Sequence, residues 1–171
     1  PVKHFIAACN VNDIVSEYLQ TQELQPKEAV ATLSNAMDVG NPSNFVRILE
    51  IFKHQFPLLK NMLSAYTITD AETVSTIREV YEKYNYILDP HGAVGFLSLH
   101  RYLFDHPGQT GLFLETAHPV KFPEAVEETI GKKIDIPFSL KEIMDREKKS
   151  TLMKANYDKT EWFRFSIGTR F

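Results

Sequence analysis

The chain is poor in the residues that would make several functions easy to read. Among its 171 residues there is a single cysteine, Cys9. One thiol excludes an internal disulfide and suits a reducing compartment, so the cytoplasm is the expected location. Only seven glycines occur, none of them in a G-x-G-x-x-G or Walker pattern, so no phosphate-cradling loop of either kind is encoded. A G-x-S-x-G elbow for a Ser-His-Asp hydrolase is missing as well. The six histidines never fall at H-x-x-x-H spacing and have no cysteine companion. His91, His100, His106 and His118, even with Asp38 or Asp89, make a poor metal set, and no metal is expected. A formal charge of −3 supplies no basic stripe for a nucleic acid. No apolar run approaches the ~18 residues of a membrane span, and the chain opens on no signal peptide.

What is there is a globular composition, 43% hydrophobic and 12% aromatic. The length suits one ordinary domain, which at this size buries about two-thirds of its unfolded surface. The chain enters Val2 to Cys9 directly from Pro1. That stretch reads as a buried strand, so the chain looks cut from something longer, or else trimmed of a leader, with Cys9 in the core. A helix with Ile14, Val15, Tyr18 and Leu19 on one face follows, capped by Asn12 or Asp13, and strand, polar turn and helix begin a βαβ unit. Thr21 to Lys27 reads as a loop and Ala29 to Leu33 as a second short strand.

Three polar blocks then interrupt the apolar patterning. Ser34 to Asn44 is either a long turn capping the next helix or a pocket wall built from Asn35, Asp38 and Asn41. The helix after it, capped at Ser43 or Asn44, shows Phe45, Ile48, Leu49, Phe52 and Phe56 on one side, with a break or kink at Pro57 and helix resuming over Leu58 to Tyr66. Thr69 and Glu72 form a capping-box signature for a helix burying Thr73, Ile77, Val80, Tyr81 and Tyr84. The second block, Asp89 to Gly95, opens a helix whose small residues Gly92, Ala93 and Gly95 allow either tight helix packing or close approach of a ligand, with Asp89 and His91 pointing in. Phe96, Leu99, Leu103 and Phe104 give that helix its core side.

The third block closes the stretch Gly111 to Phe122. An apolar run ending at Leu114 reads as a strand, and Thr116, His118 and Lys121 then place a hydroxyl, an imidazole and an amine at its carboxyl end, where ligands of open α/β sheets collect. A helix over Pro123 to Ile130 has Ala125 and Val126 inward. Charged Ser139 to Lys149 and aromatic Asp158 to Phe165 read as two more helices. Residues alone lead to an α/β domain with three polar blocks at element ends.

Four stretches in order and register extend this: Phe5-Ile6-Ala7-Ala8-Cys9-Asn10-Val11-Asn12-Asp13, Thr32-Leu33-Ser34-Asn35-Ala36-Met37-Asp38-Val39-Gly40-Asn41-Pro42-Ser43-Asn44, Leu88-Asp89-Pro90-His91-Gly92-Ala93-Val94-Gly95 and Thr116-Ala117-His118-Pro119-Val120-Lys121-Phe122. Together they resemble the C-terminal part of threonine synthase, a pyridoxal-phosphate enzyme of the tryptophan-synthase-β type. The resemblance implies an incomplete α/β piece of a fold-type-II enzyme, with few strands among many helices. It assigns residues 1–131 to the large cofactor-binding region and 132–171 to a helical tail packed on it.

The family converts O-phospho-L-homoserine and water to L-threonine and phosphate. Its Schiff-base lysine lies well upstream of this chain, and its glycine-rich phosphate cradle is expected just before Pro1, so the chain alone is expected to be inactive and to need its missing N-terminal part. The resemblance makes Thr116 the hydroxyl that meets the pyridine nitrogen of the cofactor. It makes Asn35, Asp38, Asn41, Asp89, His91 and His118 pocket lining or its support, and Lys121 a surface or phosphate-attracting residue. The rival reading is a non-catalytic binding or regulatory domain of the same fold.

Overall fold

The structure is a computed structural model that describes residues 2–144, 151–154 and 162–165. Two compact units divide the chain, residues 1–134 and 135–171. In the first, strand β1 (Phe5–Cys9) is followed by helices α1 (Ile14–Thr21), α2 (Phe45–Ile51) and α3 (Phe56–Met62), then strand β2 (Leu63–Thr67). Helices α4 (Asp70–Tyr84), α5 (Pro90–Asp105) and α6 (Pro123–Ile130) complete it, with 3-10 turns at Asn35–Met37 and Pro119–Lys121.

β1 and β2 pair in parallel, from Phe5 opposite Leu63 to Cys9 opposite Thr67. Successive side chains of a strand face opposite ways, and here both faces find helices. On one face Leu63, Ala7 and Ala65 join Leu19, Phe45, Leu49 and Leu59 of α1, α2 and α3. The Tyr18 ring stands edge-on to both Phe45 and Phe56. On the other face Ser64 bonds His4, and the His4 ring stacks on Tyr102 of α5. α5 therefore covers the second face. A separate core of Ile77, Val80, Leu88, Ala93 and Val126 holds α4, α5 and α6 together. The layering is helix, sheet, helix, as the α/β reading expects.

β2 is the main correction within this unit, because Leu58 to Tyr66 reads as continuous helix. Helix α3 stops at Met62, and Leu63 takes extended angles, φ −130° and ψ 123°. A short apolar run has no period of its own that separates helix from strand. The deciding partner is β1, nearly sixty residues away. Pro57 breaks nothing: it occupies the first turn of α3, where its missing N–H is not needed. The turn is made by Lys53 and His54, both left-handed at φ 51° and 54°.

Ala29 to Leu33 forms no strand. Its backbone bonds side chains instead, since the Asn12 amide both accepts from Val30 N–H at 2.7 Å and donates to Val30 C=O at 2.9 Å. Gly111 to Leu114 is likewise outside any strand. β1 is only half-buried rather than core, and Phe5 is 53% exposed. Phe104 is 82% exposed instead of packing inward.

In the second unit, α7 (Phe138–Met144) covers the described part of the predicted charged helix. The predicted terminal helix is corrected, because β4 (Trp162–Phe165) pairs antiparallel with β3 (Thr151–Lys154). Trp and Phe are strong strand formers. The rest of both predicted helices, residues 145–149 and 158–161, lies outside the described residues. No helix among the described residues is long and apolar enough to cross a membrane.

α4 is started by a complete capping box, as its sequence announces. Thr69 Oγ1 accepts from Glu72 N–H, while the Glu72 carboxylate takes the Thr69 N–H at 2.8 Å and is also paired with Arg101. The Thr69 backbone and hydroxyl first, then Arg101 against some burial, hold Glu72 down to about 2. A lowered acid stabilises the fold above its unfolded value near 4.5 and loses that contribution as pH falls toward 2. Thr69→Ala is expected to lower unfolding free energy by ~1 kcal/mol in urea titrations at neutral pH, with less of the acid sensitivity between those limits.

Candidate functional site

The carboxyl end of β1 runs straight into buried amides. Asn10 is 1% exposed, and its Nδ2 donates to Asp38 Oδ1 and Thr32 Oγ1 at 2.8 Å each. Its Oδ1 accepts from the Asn12 backbone N–H at 2.8 Å. Asp38 collects four donors: Asn10 and Asn12 side-chain amides, the Thr32 hydroxyl at 2.7 Å and the Thr32 N–H at 3.0 Å. A buried amide at a strand end must be satisfied, and one carboxylate satisfies two of them. Gly40 lets the loop close on itself, since a Cβ there would lie 1.8 Å from the Lys27 carbonyl oxygen. Asn35 and Asn41 are exposed. The Asn35 carbonyl accepts the Asp38 N–H.

The second group is built at the start of α5. Asp89 is its N-cap, and Asp89 Oδ1 accepts from the His91 backbone N–H at 2.8 Å and from its ring Nδ1 at 2.7 Å. His91 Nε2 lies 3.1 Å from the Ala36 N–H. An N–H pointing at Nε2 requires a lone pair there, which places the ring proton on Nδ1, facing Asp89. The His91 ring also rests on Phe122 at 5.0 Å. His91 thus gathers three stretches of sequence, around Ala36, Asp89 and Phe122. For Asp89, burial pushes the carboxyl up, but the hydrogen bonds from His91 and Glu115 outweigh it and leave it below its usual value.

Glu115 completes the group and is the residue the sequence reading passes over. Its Oε1 accepts the Asp89 N–H at 3.2 Å, and its carboxyl lies over Gly92, where an added Cβ would meet Oε2 at 2.0 Å. Burial first, then the Asp89 carboxylate, push Glu115 up to about 7. Asp89 Oδ2 and Glu115 Oε2 are buried without a hydrogen-bond partner.

Glu115 belongs to a segment that alternates like a strand without being in one. Phe113, Glu115 and Ala117 are half-buried, while Leu112, Leu114, Thr116 and His118 are exposed. Phe113 meets Phe96 of α5 edge-on. Thr116 therefore stands on the open side, and its hydroxyl makes no hydrogen bond within the described residues. His118 caps the Pro119–Lys121 turn, its Nδ1 accepting from the Val120 N–H at 3.2 Å. Lys121 is exposed on that turn. The structure thus joins Asp38 to the β1 end, and His91 and Asp89 to the turn at Ala36. Thr116 and His118 share one face of their segment.

Asn10, Asn12 and Glu115 escape a sequence reading because their partners lie 18–28 residues away. The available signals are two amides directly after an apolar strand, and an acid in phase with Phe113. Burial and Asp13 push the Cys9 thiol up to about 11, so it is no nucleophile at neutral pH. Among the described residues no three His, Cys, Asp or Glu side chains are grouped to hold a metal.

Comparisons with known proteins agree on one family. Residues 92–163 match the family model "Threonine synthase, C-terminal". The chain is 46% identical over 146 residues to threonine synthase of Escherichia coli strain K12, covering 85% of this chain and 33% of that protein. It is 39% identical over 158 residues to the Haemophilus influenzae enzyme, covering 92% and 35%. The crystal structure of the E. coli threonine synthase superimposes with a TM-score of 0.78 at 45% identity, over 85% of this chain and 33% of that one. The pyridoxal-phosphate-bound threonine synthase of Brucella melitensis gives 0.73 at 28% identity, over 86% and 36%. In sequence and fold the chain is similar to a part of threonine synthases, and it spans about a third of their length.

Asp38 is the hub that most donors share. Asp38→Ala is expected to cost about 1–3 kcal/mol in urea unfolding, because Asn10, Asn12 and Thr32 lose their common acceptor.

Proposed function

We propose that this chain forms the C-terminal third of a threonine synthase, in which it walls one side of the pyridoxal-phosphate site. The observation that carries the reading is the convergence at His91. One imidazole bonds the Ala36 turn and Asp89 and rests on Phe122, so three of the four stretches that resemble the family meet in space. The whole enzyme would convert O-phospho-L-homoserine and water to L-threonine and phosphate. Pyridoxal phosphate, when bound, supplies an electron sink that stabilises negative charge at carbons near the substrate amino group.

The residues of this chain fit part of that cofactor. Thr116 offers an exposed hydroxyl with no hydrogen-bond partner among the described residues, on the open side of its segment. A neutral hydroxyl at the pyridine nitrogen can hydrogen-bond the ring without holding it protonated, as a carboxylate would. His118 is on the same side, with Nδ1 occupied by the Val120 N–H, which leaves Nε2 for the site. Asp38 is taken up by Asn10, Asn12 and Thr32, and His91 by Asp89 and the Ala36 N–H, so the part of these residues is to hold the wall. Asn35 and Asn41 are exposed, with no side-chain hydrogen bond among the described residues, and are left to face the site. A lysine for covalent attachment and a cradle for the cofactor phosphate would come from the remaining two-thirds of the enzyme.

Two measurements test this. In the full-length polypeptide that contains this chain, Thr116→Val is expected to raise the cofactor dissociation constant roughly 2–10-fold, the worth of one hydrogen bond. Unchanged affinity and absorbance would remove Thr116 from the site. The 171-residue chain by itself, given pyridoxal phosphate and O-phospho-L-homoserine, is expected to release no phosphate above the uncatalysed rate. Release would show that the chain is sufficient for the chemistry.

A further inference from the structure

The carboxyls of Asp89 and Glu115 each have one oxygen bonded and one unassigned. Asp89 Oδ1 takes two N–H groups from His91, and Glu115 Oε1 takes the Asp89 N–H. Asp89 Oδ2 and Glu115 Oε2 are left in a buried space with no partner. An orphaned buried acceptor costs on the order of 1–3 kcal/mol, more when charged, and two adjacent carboxylates repel. One proton removes both problems: carried on Glu115 Oε2, it donates to Asp89 Oδ2, and Asp89 remains the anion that its His91 bonds favour.

We propose that Glu115 is a protonated positioning residue, bonded to Asp89, that holds Thr116 toward the cofactor ring. The inference rests on the proposed function for the identity of that ring. Coupling follows from backbone geometry. In an extended segment neighbouring side chains face opposite ways, so seating Glu115 over Gly92 turns Thr116 to the open side. Phe113, two residues earlier, seats on Phe96 in the same phase. Loss of the proton sets two carboxylates side by side, lifts Glu115 from Gly92 and releases the orientation of Thr116.

The titratable groups facing the pair are known. From α5, His91 meets Asp89 with both ring nitrogens in use. From the segment before α5, Tyr86 is raised by its own burial and by the charges of Glu115 and Asp89. The remaining titratable neighbours on the Glu115 segment, His118 and Lys121, are exposed. The direction is fixed by Glu115, which burial and Asp89 raise from 4.5 to about 7. A raised acid contributes fully below its unfolded value, and the contribution is lost as pH rises through about 7.

The test uses the full-length polypeptide containing this chain, with pyridoxal phosphate as the probe, in wild-type, Glu115→Gln, Glu115→Ala and Thr116→Val forms. Glutamine keeps a donor toward Asp89 but does not titrate. The wild-type cofactor dissociation constant, divided by that of Glu115→Gln, is expected to be near one at about pH 6. It should rise by about pH 8 to the roughly 2–10-fold that one hydrogen bond is worth. In a Thr116→Val background the same ratio should stay at one, and Glu115→Ala should bind weakly at both pH values. Thermal midpoints of the cofactor-free proteins should show a wild-type decline between about pH 4.5 and about pH 7 that Glu115→Gln lacks. If the wild-type and Glu115→Gln midpoints follow the same pH profile, the shared proton is overturned. If the midpoints differ but the ratio ignores Thr116, positioning is overturned. A polypeptide that binds no pyridoxal phosphate in any form defeats the proposed function itself, whatever the cofactor-free midpoints show.

Discussion

One imidazole decides how the ends of this fold come together. His91 accepts the Ala36 N–H on one nitrogen and gives its only ring proton to Asp89 on the other. Neither bond survives a change of tautomer, so the ring reads the protonation of its neighbours as well as their positions. Asp89 takes that proton and the His91 backbone N–H on one oxygen, and these bonds favour its anion. The same bonds hold Asp89 down while burial and Asp89 raise Glu115, so of the two carboxyls Glu115 is the one inclined to keep a proton.

The strand end is organised by the same logic with different chemistry. β1 delivers Asn10 into a buried position, and amides there are costly unless every donor and acceptor is used. Asp38 answers two amides and a threonine at once, while Asn12 pairs with Val30 as a neighbouring strand would. Each such bond is worth only about 1 kcal/mol net, but leaving one unmade in the interior costs more than making it returns. The cluster therefore acts as a constraint on geometry more than as a source of stability. A two-stranded sheet is marginal alone, and here it is held by α1 to α3 on one face and α5 on the other.

The helices were legible in residue order because their signals are local. Thr69 and Glu72 announce a capping box three residues apart, and Asp89-Pro90 announces an N-cap followed by a first-turn proline. The Phe45 and Ile77 faces repeat at helical spacing and become the two cores. Local signals fail where the partner is remote. Leu63 to Thr67 becomes a strand only because β1 lies beside it, and Ala29 to Leu33 fails to become one because Asn12 and Asp38 occupy its backbone. Phe104 has helical phase but lies on the last turn of α5, where it stays exposed.

Sequence by itself determined the α/β class, the positions of the polar blocks and the likeness of those blocks to one family, since patterning and motif order are properties of the chain read in line. Tertiary structure alone decided which polar residues meet. Glu115 differs from any surface glutamate only through Asp89, 26 residues earlier, and through the absence of a Cβ at Gly92. Burial and a neighbouring charge set its proton affinity, and both are distances in space that residue order does not contain.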